Sequence, residues 1–323
     1  MIHLQRSAQW SLINHQLKND LKLPTDQSCR LYSDLSLALM ELVQGTMQFM
    51  AHKRSLVLMK NVSFAHEFMI PQFYREALHL QWIEGGNPTP PDWIESLKKD
   101  TNLALLYEDH PITGELYDLE HLDAGLNEKK IFSIRVSYGL FRSAAPFNLR
   151  PYSIRLCVLE DGQVLALFGQ KVKLPVVFSN TVKIPNPSQL AQVVKEGLAK
   201  KSFDSSIVKN FETKLEEKNI KIWSYKNPRL WDRSLFVLSQ RHADWFKSYL
   251  IEKNVKYESH VRTLSECEHG FMKPLWNWWP DAPEGDEQRG FVILSAECLH
   301  WTETYKLVEN AIQSAPSQLH WKW

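Results

Sequence analysis

Residues 102–141 read NLALLYEDHPITGELYDLEHLDAGLNEKKIFSIRVSYGLF. Two short apolar runs, LALLY and IFSIRVS, stand near its ends, and an amphipathic stretch lies between them. This order is typical of a strand–helix–strand unit with two parallel strands. A polar loop with Pro111 and Gly114 follows the first strand. Because open α/β sheets bind ligands where their parallel strands end, we expect a functional site near residues 110–114 and 135–138.

Other apolar runs in the first part of the chain predict more elements of the same kind. Strands are expected at SLVLM, LQWI, RLCVLE, VLALF and LPVVFS, and helices at LSLALMELVQGTMQFMA, AHEFMIPQFYREALH and PDWIESLKKD. Ser33 and Asp34 precede the first of these helices as candidate N-caps. The pattern predicts an α/β protein whose large domain has a mostly parallel sheet of about seven strands.

The length and the change of composition along the chain predict two domains. A chain of 323 residues exceeds the size at which one core stops growing, about 250–300 residues. We expect an N-terminal arm at 1–30, a large α/β domain at 31–185, a polar helical connection at 186–219 and a small C-terminal α/β domain at 220–323. Strands in the small domain are expected at KIWSY, SLFVLS, VKYESHV and GFVILSA, and helices at HADWFKSYLIEKN and WTETYKLVENAI.

The charge and the cysteine pattern exclude several classes of partner. The 38 basic and 37 acidic residues leave a net charge of +1, so no bulk field favours nucleic acid or an anionic membrane. There is no apolar run of membrane-spanning length, and the start MIHLQRSAQWSL lacks the core of a secretory signal, so a cytoplasmic protein is expected. The cysteines form no CxxC pair, and no cluster has metal-ligand spacing, so no metal is expected.

The loop DHPITGE, the helix after it and the strand that ends RVSY resemble the large domain of the fold-type I pyridoxal-phosphate aminotransferases. In that family the loop reads N-P-T-G and the strand ends D-x-x-Y. The likeness covers about residues 30–180 and, more loosely, 230–313. It implies an aminotransferase-like two-domain fold, a homodimer, bound pyridoxal phosphate and an amino-acid-like ligand.

Several positions match the cofactor site that the resemblance implies. Lys171, after VLALF, stands for the Schiff-base lysine, although it is also readable as a loop lysine beside Lys173. Phe64 stands for the ring that stacks on the cofactor, and its alternative role is that of a core aromatic. Thr113 keeps the end of the N-P-T-G turn, and Tyr138 stands for the tyrosine that meets the cofactor's phenolic oxygen.

Other positions depart from the family pattern. Arg135 replaces the aspartate that keeps the pyridine nitrogen protonated. A carboxylate at about 4 Å stabilises a pyridinium by roughly 4 kcal/mol at an effective dielectric near 20, and a guanidinium does the opposite. Pro111 replaces a hydrogen-bonding asparagine, and Asp34 stands at the helix start that would bind the phosphate. Phe168 and Ser179 replace a hydroxyl residue and an arginine of the phosphate site.

Two further residues are candidates for binding the substrate. His110 lies in the crevice loop and is either a general base or a surface-loop histidine. Phe291 falls near the place of the arginine that anchors a substrate carboxylate, and Arg289 is the candidate substitute if it points to the same face of the strand.

Three functions remain open from the sequence. The first is an aminotransferase-like protein that does not transaminate and has a binding or regulatory role. The second is an active pyridoxal-phosphate enzyme, an aminotransferase, racemase or lyase, that acts on an amino acid through Lys171. The third is a cofactor-independent ligand binder that uses the tryptophans between Trp276 and Trp279, whose alternative role is to cover an apolar face or a dimer contact.

Overall fold

The computed structural model of the protein describes residues 27–49, 55–59, 79–83, 93–110, 113–138, 149–159, 162–173, 205–223, 228–231, 233–238, 240–253, 261–263, 292–297 and 301–315, together with positions 15 and 19. The chain divides into two units. One comprises Met1–Pro111 and Leu116–Ser202, and the other comprises Ile112–Glu115 and Phe203–Trp323. The loop that follows the first strand of the opening stretch is therefore shared between the two units.

The first unit is built on one large sheet. Its strands are β1 (Ser28–Tyr32), β2 (Ser55–Met59), β3 (His79–Ile83), β4 (Thr101–Tyr107), β5 (Phe132–Ser137), β6 (Ser153–Val158) and β7 (Val164–Phe168). They lie in the order β1-β7-β6-β5-β4-β2-β3. Neighbours from β3 to β6 are parallel, whereas β7 is antiparallel to both β6 and β1. The predicted seven-stranded, mostly parallel sheet is confirmed.

The strands of this sheet read as continuous apolar runs because both faces are covered. Every residue of β2, β4, β5 and β7 is buried, which is the usual state of strands in a parallel sheet. Helix α1 (Leu35–Phe49) packs on the sheet, and α2 (Glu120–Glu128) lies between β4 and β5 in the chain. The strand–helix–strand unit predicted from residues 102–141 is therefore formed.

Helix α1 shows how local sequence determines one element. Its buried side chains recur at intervals of three and four residues, so that one stripe faces the sheet. The stripe comprises Leu35, Ala38, Leu39, Leu42, Val43, Thr46 and Met47, and the buried Glu41 lies beside it, where its carboxylate accepts hydrogen bonds from Arg30 and Tyr32. Asp34 is the N-cap, since its carboxylate accepts the Leu37 N–H at 2.8 Å, and it also accepts the Ser33 hydroxyl at 2.8 Å.

Four sequence expectations for the first unit differ from the structure or fall outside it. Strand β1 begins within the stretch assigned to an N-terminal arm, because SCRLY gains its backbone hydrogen bonds from β7, far away in sequence. The helix expected at PDWIESLKKD is replaced by turns over the described residues 93–100, where the Ser96 hydroxyl donates to the Trp93 carbonyl. The strand expected at LPVVFS lies outside the described residues, and so does the helix expected at AHEFMIPQFYREALH except for its last residue, His79, which begins β3.

The second unit has its own sheet and helices. The strands are β8 (Lys221–Ile222), β9 (Arg233–Leu238), β10 (Val261–Thr263) and β11 (Val292–Glu297), in the antiparallel order β10-β11-β9-β8. The helices are α3 (Ser205–Glu217), α4 (Gln240–Glu252) and α5 (Trp301–Ser314). Helix α3 was expected within a connection, but its apolar face is part of this core because Phe211 packs against Phe236.

No helix that the structure describes in either unit is both long enough and apolar enough to span a membrane.

Candidate functional site

The crevice loop starts where β4 ends. The Glu108 N–H donates to the Val136 carbonyl of β5 at 2.8 Å, and the Tyr117 N–H donates to the Glu108 carbonyl at 2.9 Å. Asp109 and Leu116 form an isolated antiparallel bridge. The base of the loop is therefore closed by backbone pairing, which places the side chains of Glu108 and Asp109 at the carboxyl ends of the parallel strands. Open α/β sheets bind ligands at this end, and we call it the ligand-binding edge of the sheet.

Tyr138 and His110 both lie in this region. The Tyr138 N–H donates to both carboxylate oxygens of Asp109, at 2.9 and 3.1 Å, and ties the end of β5 to the loop. His110 is 0% exposed, so the surface-loop alternative for this histidine is wrong. The sequence reasoning overlooked Asp109, which links the two predicted halves of the site.

Arg135 is held by acidic residues. Its Nε lies 3.4 Å from Glu108 Oε1, and one terminal nitrogen lies 3.4 Å from Asp123 Oδ2. Arg155 binds the other oxygen of Glu108, with its Nε at 2.9 Å and a terminal nitrogen also within hydrogen-bonding distance. The two arginines are 8% and 7% exposed. The Glu108 carboxylate is therefore shared between two buried guanidinium groups.

Strand register explains why these three side chains meet. Arg135 of β5 is paired directly with Arg155 of β6 and with Leu106 of β4. Glu108 lies two residues after Leu106, so its side chain returns to the same face of the sheet. Although burial alone would lower the pKa of the Arg155 guanidinium, the neighbouring Glu108 carboxylate raises that pKa, which keeps Arg155 cationic.

Asp123 of helix α2 extends this network. Its Oδ1 accepts the hydroxyl of Ser133 at 2.7 Å and the hydroxyl of Ser153 at 2.8 Å. Its Oδ2 lies 3.4 Å from both Arg135 and Arg150. Asp123 is 1% exposed, so it provides a buried negative charge with four partners. We name the group Glu108, Asp123, Arg135 and Arg155 the charged cluster.

A repeated tripeptide in the sequence is a signal for this cluster that the sequence predictions did not use. Residues 133–135 and 153–155 both read Ser-Ile-Arg. In each strand the serine and the arginine are two residues apart and share a face, which indicates a polar face in a sheet that is otherwise apolar. Local patterning could have paired the two strands, but it could not have named Glu108 and Asp123 as their partners.

Lys171 does not join this group. Its backbone N–H donates to the carbonyl of Pro151, which precedes β6, because β7 runs antiparallel to β6. About 20 Å along the strand direction, the length of six strand residues, separates this position from Tyr138. The expected grouping of Lys171 with Tyr138 and Arg135 at the ligand-binding edge is therefore wrong. Among the described residues that directly follow β1, β4, β5 and β6, none is lysine.

The start of α1 is the other place where an anion would bind. A free helix N-terminus offers N–H groups to a phosphate, but here the Asp34 carboxylate already accepts the Leu37 N–H. Phe168, which the resemblance aligns with a hydroxyl residue, is 4% exposed and lies 5.4 Å from the Arg30 guanidinium. Neither side chain offers a phosphate the hydrogen-bond donor that the family pattern has there.

The remaining predicted residues fall in the second unit or outside the described chain. Thr113 belongs to the second unit, where its hydroxyl accepts the Glu115 N–H at 3.2 Å and lies 3.3 Å from the Glu115 carboxylate. Gly114, at φ 72°, accepts the Leu230 N–H at 2.8 Å. Gly114 therefore shapes a turn here. The positions outside the described residues are Phe64, Pro111, Ser179, Trp276–Trp279, Arg289 and Phe291.

The second unit has a buried ion pair of its own. Arg229 contacts Glu212 at 2.6 Å and lies 4.0 Å from the ring of Trp231. The Ser234 hydroxyl donates to the other oxygen of Glu212 at 2.6 Å. Within the described residues of both units, no three His, Cys, Asp or Glu side chains group as metal ligands.

The thiol of Cys157 in β6 is buried, and its burial has a testable consequence. Burial raises the pKa of Cys157, and the thiol therefore stays protonated and unreactive. We expect iodoacetamide at mildly alkaline pH to leave Cys157 unlabelled in the folded protein and to label it fully in denaturant. Peptide mapping by mass spectrometry measures both states. Rapid labelling of the folded protein would contradict the buried position.

Comparison with known proteins gives the fold. No family model matches the sequence, and no curated protein matches it. A cysteine desulfurase from Thermococcus onnurineus NA1 superposes with a TM-score of 0.69 and 11% identity, over 98% of this chain and 86% of that chain. The cysteine desulfurase CsdA from Escherichia coli superposes with a TM-score of 0.68 and 11% identity, over 96% and 85%. The histidinol-phosphate aminotransferase from Clostridium acetobutylicum superposes with a TM-score of 0.57 and 11% identity, over 95% and 90%.

These similar structures are enzymes of the superfamily that the sequence resembles. The likeness extends over both the parallel sheet and the C-terminal unit, because it covers nearly the whole chain. An identity near 11% establishes the fold and leaves the chemistry to the residues of this chain. The protein therefore has an aminotransferase-like α/β fold.

Proposed function

We propose that this protein is an aminotransferase-like protein with a binding or regulatory role that does not carry out ordinary transamination. The observation that carries the proposal is the ion pairing of Arg135 with Glu108 and Asp123. Arg135 stands where the resemblance places an aspartate, and its two acidic partners hold it there as a cation. The position that would keep a pyridine nitrogen protonated therefore carries a positive charge, and the neighbouring carboxylates of Glu108 and Asp109 are already bound by Arg155 and by the Tyr138 N–H.

The residues present do not fit pyridoxal phosphate. The described residues that directly follow β4, β5 and β6 include no lysine to form an imine, and Asp34 competes with a phosphate for the N-terminus of α1. An anionic cofactor would also have to displace Glu108 from Arg135 and Arg155. No reaction step through the cofactor is therefore assigned.

The alternative, an active enzyme that uses Lys171, is not favoured by any contact of that lysine. Its position at the opposite edge of the sheet argues against it. A homodimer with an amino-acid-like ligand remains part of the proposal on the grounds of the resemblance, and a cytoplasmic location remains part of it on the grounds of the sequence pattern.

The test is spectroscopic. We expect the purified protein to show no visible absorbance band of a lysine–cofactor imine, either as isolated or after incubation with pyridoxal phosphate. Borohydride treatment followed by intact-mass measurement should add no cofactor mass, because Lys171 lies at the other end of the strands and β4, β5 and β6 are followed by Glu108, Tyr138 and Leu159.

Lys171→Ala is the matched control. It should give the same spectrum and the same mass behaviour as the wild type. A visible band that borohydride removes, present in the wild type and lost in Lys171→Ala, would establish the active-enzyme alternative instead.

A further inference from the structure

We infer that Arg135 and Arg155 form a carboxylate-binding site, and that the protein's own Glu108 occupies it as a tethered ligand. The inference deepens the proposed binding role and rests on it in one respect: the ligand-binding edge of the sheet is taken to be free of pyridoxal phosphate. It names a ligand class, a small carboxylate, and a residue that blocks the site.

The two arginines have the arrangement of a carboxylate clamp. They lie directly opposite each other on adjacent parallel strands, whose axes are about 4.8 Å apart. Arg155 donates to Oε2 of Glu108, with Nε at 2.9 Å, and the Arg135 Nε lies 3.4 Å from Oε1, at ion-pair distance but without a hydrogen bond. Guanidinium groups present planar arrays of donors that can bind both oxygens of a carboxylate, so Arg135 has a donor available for a carboxylate that sits closer to it than Glu108 does.

Without a carboxylate between them, the two arginines would be unstable neighbours. Both are buried, so water screens their mutual repulsion poorly. Of the two arginines, Asp123 compensates the charge of Arg135 only. Asp123 is also bound by Ser133, Ser153 and Arg150. The charge of Arg155 is balanced mainly by Glu108, with Asp109 as a second acidic neighbour. Removal of the Glu108 carboxylate would therefore leave buried positive charge poorly compensated, which favours the binding of another anion at this position.

Glu108 differs from an ordinary structural partner because it lies in a loop and not within a strand or a helix of the core. It follows the last residue of β4 and belongs to the loop, so its side chain approaches the arginines from the edge where ligands of open α/β sheets bind. Its side chain is 14% exposed, whereas that of Asp123 is 1% exposed. A small carboxylate arriving from solvent could take the place of Glu108 but could not take the place of Asp123.

Chemical rescue tests this inference. Glu108→Ala removes the tethered carboxylate and leaves a space that formate or acetate would fill. We expect the unfolding temperature of Glu108→Ala to rise by several degrees in millimolar formate, relative to chloride at equal ionic strength, because a ligand that binds only the folded state stabilises it. The wild type should show no such shift, since Glu108 already fills the site.

Two further variants make the outcome decisive. Glu120→Ala removes a carboxylate that pairs with Arg150 at the surface, and it should show no formate dependence. The double variant Glu108→Ala/Arg155→Met should lose the rescue, because one half of the clamp is absent. If Glu108→Ala does not fold in chloride, the yield of folded protein after refolding in formate is the measurement, and recovery in formate alone supports the inference.

Equal behaviour of Glu108→Ala in formate and chloride would overturn the inference, and so would an equal formate shift in the wild type. These outcomes are separate from the spectroscopic test. A visible imine band in the wild type would remove the proposed function, whereas absence of formate rescue without such a band would remove only the tethered-ligand role of Glu108.

Discussion

Replacement of Asp123 by alanine is expected to lower the free energy of unfolding by about 3–5 kcal/mol. Asp123 is 1% exposed and compensates the buried Arg135 across β5. Its removal would also leave the hydroxyls of Ser133 and Ser153 without their acceptor, while they remain 3.0 Å from each other. A buried arginine that loses a partner is penalised far more than an exposed one.

Equilibrium unfolding in denaturant, followed by circular dichroism, measures this loss. The matched control is Glu120→Ala on the same helix, because Glu120 is exposed and pairs with the half-buried Arg150. Exposed ion pairs contribute about 0–1 kcal/mol, so the control should be nearly as stable as the wild type. Equal stabilities of Asp123→Ala and Glu120→Ala would contradict the buried charged cluster.

Gly169→Ala is expected to destabilise the first unit by about 3 kcal/mol or more, at the upper end of the range for overpacking. A Cβ at this position would lie 2.7 Å from the Pro151 carbonyl oxygen and 2.9 Å from its carbon, with the Arg150 carbonyl oxygen nearer still. These neighbours are backbone atoms and cannot change rotamer. The Gly169 N–H also donates to the Ser153 carbonyl at 2.9 Å, so separation would break the pairing between β7 and β6.

Gly162→Ala provides the control for this prediction. Gly162 has φ 81°, a left-handed conformation that costs an alanine about 1–2 kcal/mol, but no atom of the described residues lies within 4 Å of a Cβ built there. Thermal unfolding should therefore rank the wild type above Gly162→Ala, and Gly162→Ala above Gly169→Ala. The reverse order of the two variants would show that β6 and β7 are not in the described register.

The charged cluster changes what the aminotransferase-like fold can do at the ends of its strands. In the family that the sequence resembles, this edge holds a cofactor through a lysine, an aspartate and a phosphate site. Here the described residues at the same edge include Glu108, Asp109 and Tyr138: Asp109 binds the Tyr138 N–H, and Glu108 binds the arginines of the sheet. A site filled by its own side chains is consistent with a binding or regulatory role.

The sequence by itself determined the succession of elements in this protein. Continuous apolar runs predicted β2 and β4–β7, the three- and four-residue period predicted α1, and Asp34 was named as a candidate cap before the helix. The charge reversal at Arg135 was also evident. These features are local, because each depends on side-chain periodicity or on hydrogen bonds between residues a few positions apart.

Only the tertiary structure decided which residues form the site. The direction of β7 placed Lys171 at the wrong edge, and the registers of β4, β5 and β6 brought Glu108 and Arg155 to Arg135. The charged cluster joins side chains up to 47 residues apart in sequence. Such contacts depend on strand order and direction, which backbone hydrogen bonds between distant segments determine and which no local sequence pattern encodes.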